Sequence, residues 1–167
     1  SAGRIQLDAQ TLTNTAGSQV LAQNGQLTIT ANRLDNQGSL SGNGLVASAQ
    51  LITNNASTSS IASSSDLTLT SRDSFSNLNG AAVKANGTLT INTNGDLVNT
   101  GSVLESVNNL TLNSRHLSNA TTGVISAKNG TLSINNTGTL TNQGGIAGNQ
   151  VAVNAASIVN KGSNALI

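Results

Sequence analysis

One pattern of apolar, small and Asn positions recurs eight times along this chain. The spacing of its copies restricts the fold more than any other feature. Two clear copies are "LTITANRLDNQGSL" at residues 27–40 and "LSINNTGTLTNQGGI" at residues 132–146. The first apolar position is filled by Ile5, Leu27, Leu45, Leu67, Leu89, Leu110, Leu132 and Val151. Two residues later stand Leu7, Ile29, Ala47, Leu69, Ile91, Leu112, Ile134 and Val153, and two further on Ala9, Ala31, Ala49, Ser71, Thr93, Ser114, Asn136 and Ala155. Another apolar position holds Leu12, Leu34, Ile52, Phe75, Leu97, Leu117, Leu140 and Ile158. Each is followed at plus two by an asparagine: Asn14, Asn36, Asn54, Asn77, Asn99, Asn119, Asn142 and Asn160. A last apolar position is assigned to Val20, Leu40, Ile61, Val83, Val103, Ile125, Ile146 and Leu166.

The asparagines are spaced by 22, 18, 23, 22, 20, 23 and 18 residues, the period of a solenoid. Within each copy the apolar residues alternate, which is strand rather than helix periodicity. The spacing therefore predicts an all-β parallel β-helix of about eight coils of roughly 20 residues. It covers residues 1–167 as a single unit and forms a rod of roughly 38 Å at one strand spacing per coil. The core ladder is expected from Leu27, Ile29, Leu34, Leu40, Leu67, Leu69, Leu89, Ile91, Leu97, Leu110, Leu112, Leu117, Leu132, Ile134 and Leu140. The eight asparagines are expected to stack at a corner, amide on amide. Asn-Gly pairs at 24–25, 43–44, 79–80, 86–87, 94–95 and 129–130 predict corners that need positive φ. Insertions should fall after the recurring Asn or just before the fourth apolar position, where they bulge without breaking the stack.

Composition fits a core without large anchors. There are 25 asparagines, one aromatic residue (Phe75), no Pro, Met or Cys, and only 8% charged residues. Zero cysteines exclude disulfides and thiolate metal sites. Seven basic residues, scattered from Arg4 to Lys161, balance six acidic ones, so no basic footprint for nucleic acid exists. No apolar run reaches the ~18 residues of a membrane span. The first residues show no signal-peptide pattern.

No candidate for catalysis, cofactor or metal binding emerges. His116 is the single histidine, beside Arg115, with no marked nucleophile or orienting acid. Asp8, Asp35, Asp66, Asp73, Asp96 and Glu105 fall at different coil positions. Only Asp66 and Asp73 share a coil, so a polysaccharide lyase or hydrolase is not indicated. The calcium-binding repeat G-G-x-G-x-D is absent. Outward T-x-T pairs (Thr28 with Thr30, Thr68 with Thr70) are similar to ice-binding solenoids, but Val46, Ser48, Asn92, Asn113 and Asn135 interrupt the array. Phe75 is expected in the core, which leaves no aromatic platform for a glycan. The N-x-S/T triplets, such as that starting at Asn86, arise by chance in so Asn-rich a sequence.

The pattern L-x-L-x-A-x-x-L-x-N-x-G-x-I of residues 27–40 and 132–146 resembles the filamentous haemagglutinin repeats of large bacterial exoproteins, and the resemblance covers the whole chain. It implies a right-handed β-helix and export through an outer-membrane two-partner-secretion transporter. It also implies a secreted or cell-surface filament, in an adhesin or the stalk of a contact-dependent growth inhibition toxin. The family's secretion-domain motifs, Asn-Pro-Asn-Gly and Asn-Pro-Asn-Leu, have no counterpart here. The chain is thus expected to be part of a longer array, with the remaining repeats as its neighbours. The leading expectation is a non-enzymatic stalk segment that holds distal domains away from the cell. The alternative is a β-helix face that binds a host or neighbouring-cell receptor directly. Its contacts would come from the irregular stretches 54–66 and 119–125, since loops carry recognition more often than regular strands.

Overall fold

The computed structural model describes residues 3–120 and 122–167 and contains only β-structure and turns. Its strands are β1 (Ile5–Asn14), β2 (Gln19–Asn36), β3 (Ser39–Asn55), β4 (Ser60–Ser63), β5 (Leu67–Leu78), β6 (Ala82–Ala85), β7 (Leu89–Thr93) and β8 (Asp96–Thr100). They continue as β9 (Val103–Ser106), β10 (Leu110–Ser114), β11 (His116–Ala120), β12 (Val124–Asn136), β13 (Thr139–Asn142), β14 (Gly145–Asn154) and β15 (Ser157–Asn160). Every pairing is parallel and joins one coil to the next. The molecule is a parallel β-solenoid of about seven turns, ~21 residues each. The eight copies of the repeat bound those turns.

Three faces enclose the core. On face A, Ile5 pairs with Leu27, and the column runs on through Leu45, Leu67, Leu89, Leu110 and Leu132 to Val151. Its companion column runs from Leu7 to Val153 by way of Ile29, Ala47, Leu69, Ile91, Leu112 and Ile134. On face B, Leu12, Leu34, Ile52, Phe75, Leu97, Leu117, Leu140 and Ile158 stack in that order. Side chains alternate in and out along each strand, and the inward set is excluded from water. The fifteen core-ladder residues named from the sequence are all at 0–1% exposure. Phe75 is fully buried, filling space between Ile52 and Leu97. The terminal coils leave apolar residues partly open, Ile158 among them at 50% exposed.

Face C departs from the sequence reading in its last apolar column. The partner of Val83 and of Ile125 is Leu104, not Val103. Val103 pairs with Ala82 and Val124 on the outer side. Leu166, likewise, pairs with Gly145 instead of Ile146 and is exposed. In each case two adjacent apolar residues compete for one inward position, and the length of the preceding corner decides between them. A third variable site also exists: register shifts fall between Ala22 and Gln26 and between Ala127 and Thr131, in the arc that leads from face C to face A.

Positive φ occurs in the Asn-Gly set at one pair, Asn79 (60°) and Gly80 (82°). Gly25, Gly87, Gly95 and Gly130 serve close packing between coils instead, and Gly44 has room for a side chain. A Cβ on Gly95 would collide with the Asp73 carbonyl of the coil before it.

Candidate functional site

The recurring asparagines form one continuous inner ladder of hydrogen bonds. Asn14 Nδ2 donates to Asn36 Oδ1 at 2.8 Å, Asn36 to Asn54 at 2.8 Å, Asn54 to Asn77 at 2.9 Å and Asn77 to Asn99 at 2.9 Å. Asn99 then donates to Asn119 at 2.8 Å, Asn119 to Asn142 at 2.8 Å and Asn142 to Asn160 at 2.9 Å. Every donation points toward the C-terminal coil. These residues sit at or next to the last position of a face B strand, with the side chain turned inward at the corner. From Asn14 to Asn142 the amide also reaches carbonyls of that corner, as Asn99 does with Ser102 (3.1 Å) and Val124 (3.2 Å), whereas Asn160 only accepts. One side chain thereby ties its own coil to the next and gives corner carbonyls a second donor, beside backbone N–H groups such as that of Val124 on Ser102 O.

An outer set of amides runs the other way. Asn113 Nδ2 donates to Asn92 Oδ1 at 2.7 Å and Asn135 Nδ2 to Asn113 Oδ1 at 2.9 Å. Sequence reasoning treated these three as interruptions of a threonine array. Their recurrence at one register position, 21 and 22 residues apart, is the signal that identifies them as a ladder.

Beside this outer ladder lies a shallow polar groove at the corner between faces A and B. Its largest section, about 400 Å³, is lined by Thr30, Ser48, Thr70, Arg72 and Asn92, with buried Ser71 at its edge. Ser71 Oγ is buried and has no hydrogen-bond partner. The groove continues past Asn94 to Asn113, Arg115 and Asn135.

The ionisable residues are dispersed on the coils. Glu105 lies between Lys128 (3.0 Å) and Lys84 (3.9 Å), Asp96 pairs with Arg115 (3.0 Å), and Asp35 with Arg33 (2.5 Å). Asp66 Oδ1 accepts from the Thr88 N–H of the next coil at 2.8 Å, so it tethers a corner. His116 is also a tether: its Nδ1 accepts from the Thr139 N–H at 2.9 Å, across one coil. Among the described residues, no group of three or more His, Asp or Glu is placed to hold a metal ion.

The irregular stretches are folded into the stack in part, with Ser57, Thr58, Ser64, Ser65 and Asp66 of the first and Thr122 and Val124 of the second exposed. In 54–66, Ser59 is buried and its Oγ donates to the Ala56 carbonyl at 2.8 Å. In 119–125, Asn119 and Ile125 are interior residues, and Thr121 lies outside the described residues.

A parallel β-solenoid with an apolar core and an unbroken asparagine ladder is a repeat architecture whose every coil is a template for its neighbour. The haemagglutinin repeat model matches residues 1–79, 52–101, 76–144 and 109–167, overlapping from one end to the other, and the chain belongs to the filamentous haemagglutinin repeat family. The comparisons match no curated protein and no solved structure.

Proposed function

We propose that this chain is a structural segment of the filament of a secreted bacterial exoprotein of the two-partner-secretion type, an adhesin or a growth-inhibition toxin. In this reading the segment is a stiff spacer at the cell surface. The remaining repeats of the parent protein stack on its terminal coils, and an outer-membrane transporter exports it. The observation that carries the reading is the inner ladder: seven asparagine-to-asparagine bonds run through every coil without a gap. Such a stack resists bending because each coil is fixed to both neighbours by backbone pairing, apolar contact and amide bonds. Repeats of this family are typically structural and non-catalytic, in keeping with the dispersed ionisable groups.

The polar groove favours a second reading, in which the outer surface binds a receptor on a host or neighbouring cell. The groove is long and rich in amides, but it lacks an apolar anchor of the kind that dominates most interfaces. The test is a cell-binding assay with the purified, folded protein. A spacer gives no saturable retention on any cell type. Saturable binding that is lost in Arg72→Ser and Asn113→Ala variants, with circular dichroism unchanged, would replace the spacer with the receptor-binding face.

A further inference from the structure

Asparagine builds this fold, and it is also a chemically labile residue. Lability is greatest before glycine, whose amide nitrogen no Cβ shields. Six asparagines precede a glycine, yet no inner-ladder asparagine does: their followers are Thr15, Gln37, Asn55, Leu78, Thr100, Ala120, Gln143 and Lys161. The reactive dipeptides are confined to the outside of the stack.

Those six pairs are not equivalent. Asn24–Gly25, Asn43–Gly44 and Asn129–Gly130 lie within β2, β3 and β12 without positive φ, the first and third of them at register shifts of the ladder. Gly87 N–H is held by the Ser65 carbonyl at 2.8 Å, and Gly95 N–H by Thr93 Oγ1 at 3.3 Å. Asn79–Gly80 occupies the two central positions of a tight turn between β5 and β6, closed by Ala81 N–H donating to the Leu78 carbonyl at 3.2 Å. With φ positive at both, this is the primed type of turn, whose closing bond uses the Ala81 N–H and not that of Gly80. Both residues are exposed, and Gly80 N–H has no acceptor among the described residues.

We propose that Asn79 is a site of spontaneous deamidation that reacts ahead of the other five Asn-Gly pairs. Gly80 nitrogen gives its proton to a solvent base and attacks Asn79 Cγ. The new N–Cγ bond closes a five-membered imide, and the Cγ–Nδ2 bond breaks as Nδ2 takes a proton from solvent and leaves as ammonia. Water then opens either imide carbonyl, giving aspartate or isoaspartate; nothing is oxidised or reduced. The modification removes an outer rung, since Asn79 Nδ2 donates to Asn55 Oδ1 at 2.7 Å and a carboxylate has no proton to give. It also cancels the single net positive charge of the protein. The inner ladder is untouched.

Trypsin isolates the site, because cleavage after Arg72 and Lys84 yields peptide 73–84, which holds this Asn-Gly pair alone. The folded protein is incubated in mildly alkaline oxygen-18 water and mapped by mass spectrometry over time. Label should enter peptide 73–84 several-fold faster than peptide 85–115, which carries Asn86–Gly87 and Asn94–Gly95, and the rates per Asn-Gly pair should converge in denaturant. An Asn79→Gln variant, which cannot close the five-membered ring, should lose the label in 73–84 and keep its circular dichroism. Equal rates among the folded peptides, no labelling of 73–84, or label persisting there in Asn79→Gln would each overturn the assignment.

Discussion

Removing one mid-stack rung tests whether the asparagine ladder stabilises the fold. Asn99 is fully buried; it accepts from Asn77 Nδ2 and donates to Asn119 Oδ1, Ser102 O and Val124 O. Asn99→Ala strands Asn119 Oδ1 without a donor inside the stack, which costs about 1–3 kcal/mol. The lost bonds from Asn77 and to the corner carbonyls add about 0.5–1.5 kcal/mol each. Asn77 Nδ2 keeps Val103 O at 3.0 Å, and Ser102 O keeps the Val124 N–H at 2.8 Å, so neither is orphaned. The expected loss is about 2.5–7.5 kcal/mol, roughly two or more powers of ten in the folding equilibrium. Asn160→Ala is the matched control. That rung is exposed and only accepts, from Asn142 at 2.9 Å, so its loss should stay below about 1 kcal/mol. Urea unfolding followed by far-UV circular dichroism measures both. Equal losses, or a loss under about 1 kcal/mol for Asn99→Ala, would refute the ladder as a source of stability.

Three further substitutions probe register and charge. Ile91→Asp buries a lone carboxylate and should cost several kcal/mol, whereas Thr90→Asp, one residue away on the outer side, should change the melting temperature little; similar melts would contradict the face A register. Leu104→Ala should cost about 2–5 kcal/mol and Val103→Ala clearly less, with the opposite order restoring the register read from the sequence. Asn99→Asp should be at its worst at neutral pH and recover in acid. Burial raises the carboxyl's folded pKa above its unfolded value, so stability is present below the unfolded value and is lost as pH rises through the folded one. A pH-independent deficit would show that charge is not the cause.

Faces A and B were legible because inward positions within each face are two residues apart, the step between the faces varies only from three to four, and unambiguous residues fill them. Leu67, Leu69, Phe75 and Asn77 need no knowledge of the neighbouring coil to be placed. Face C was not, since four to seven residues separate its apolar position from the preceding Asn. At Val103-Leu104 hydropathy alone cannot choose. The small inward column that follows at plus two could have: it contains Ala22, Gly42, Ser63, Ala85, Ser106, Ala127 and Gly148. Leu104 puts Ser106 in that column, whereas Val103 would have put Glu105 there. The outer ladder was missed for a different reason. An asparagine on a solvent face looks like any polar strand residue until its partner one coil away is known.

Stacking also explains why so few residues are charged. Any residue on a face lies about 4.8 Å from its counterpart in the next coil. Two like charges at that distance repel by about 1 kcal/mol in water and ~3.5 kcal/mol at an effective dielectric of ~20. A repeat that kept a charge at one position would incur this at every step. Asparagine has the opposite property, because one amide carries both a donor and an acceptor and a column of identical copies is self-complementary. Where charged residues do have ladder partners, none meets its own sign: Arg33 pairs with Thr11 and Leu51, Asp35 with Thr13 and Thr53, Asp96 with His116, and Lys84 with Glu105. Charge is thus admitted at single coils, beside a neutral or opposite neighbour, while the positions that every coil shares go to residues that attract their own kind.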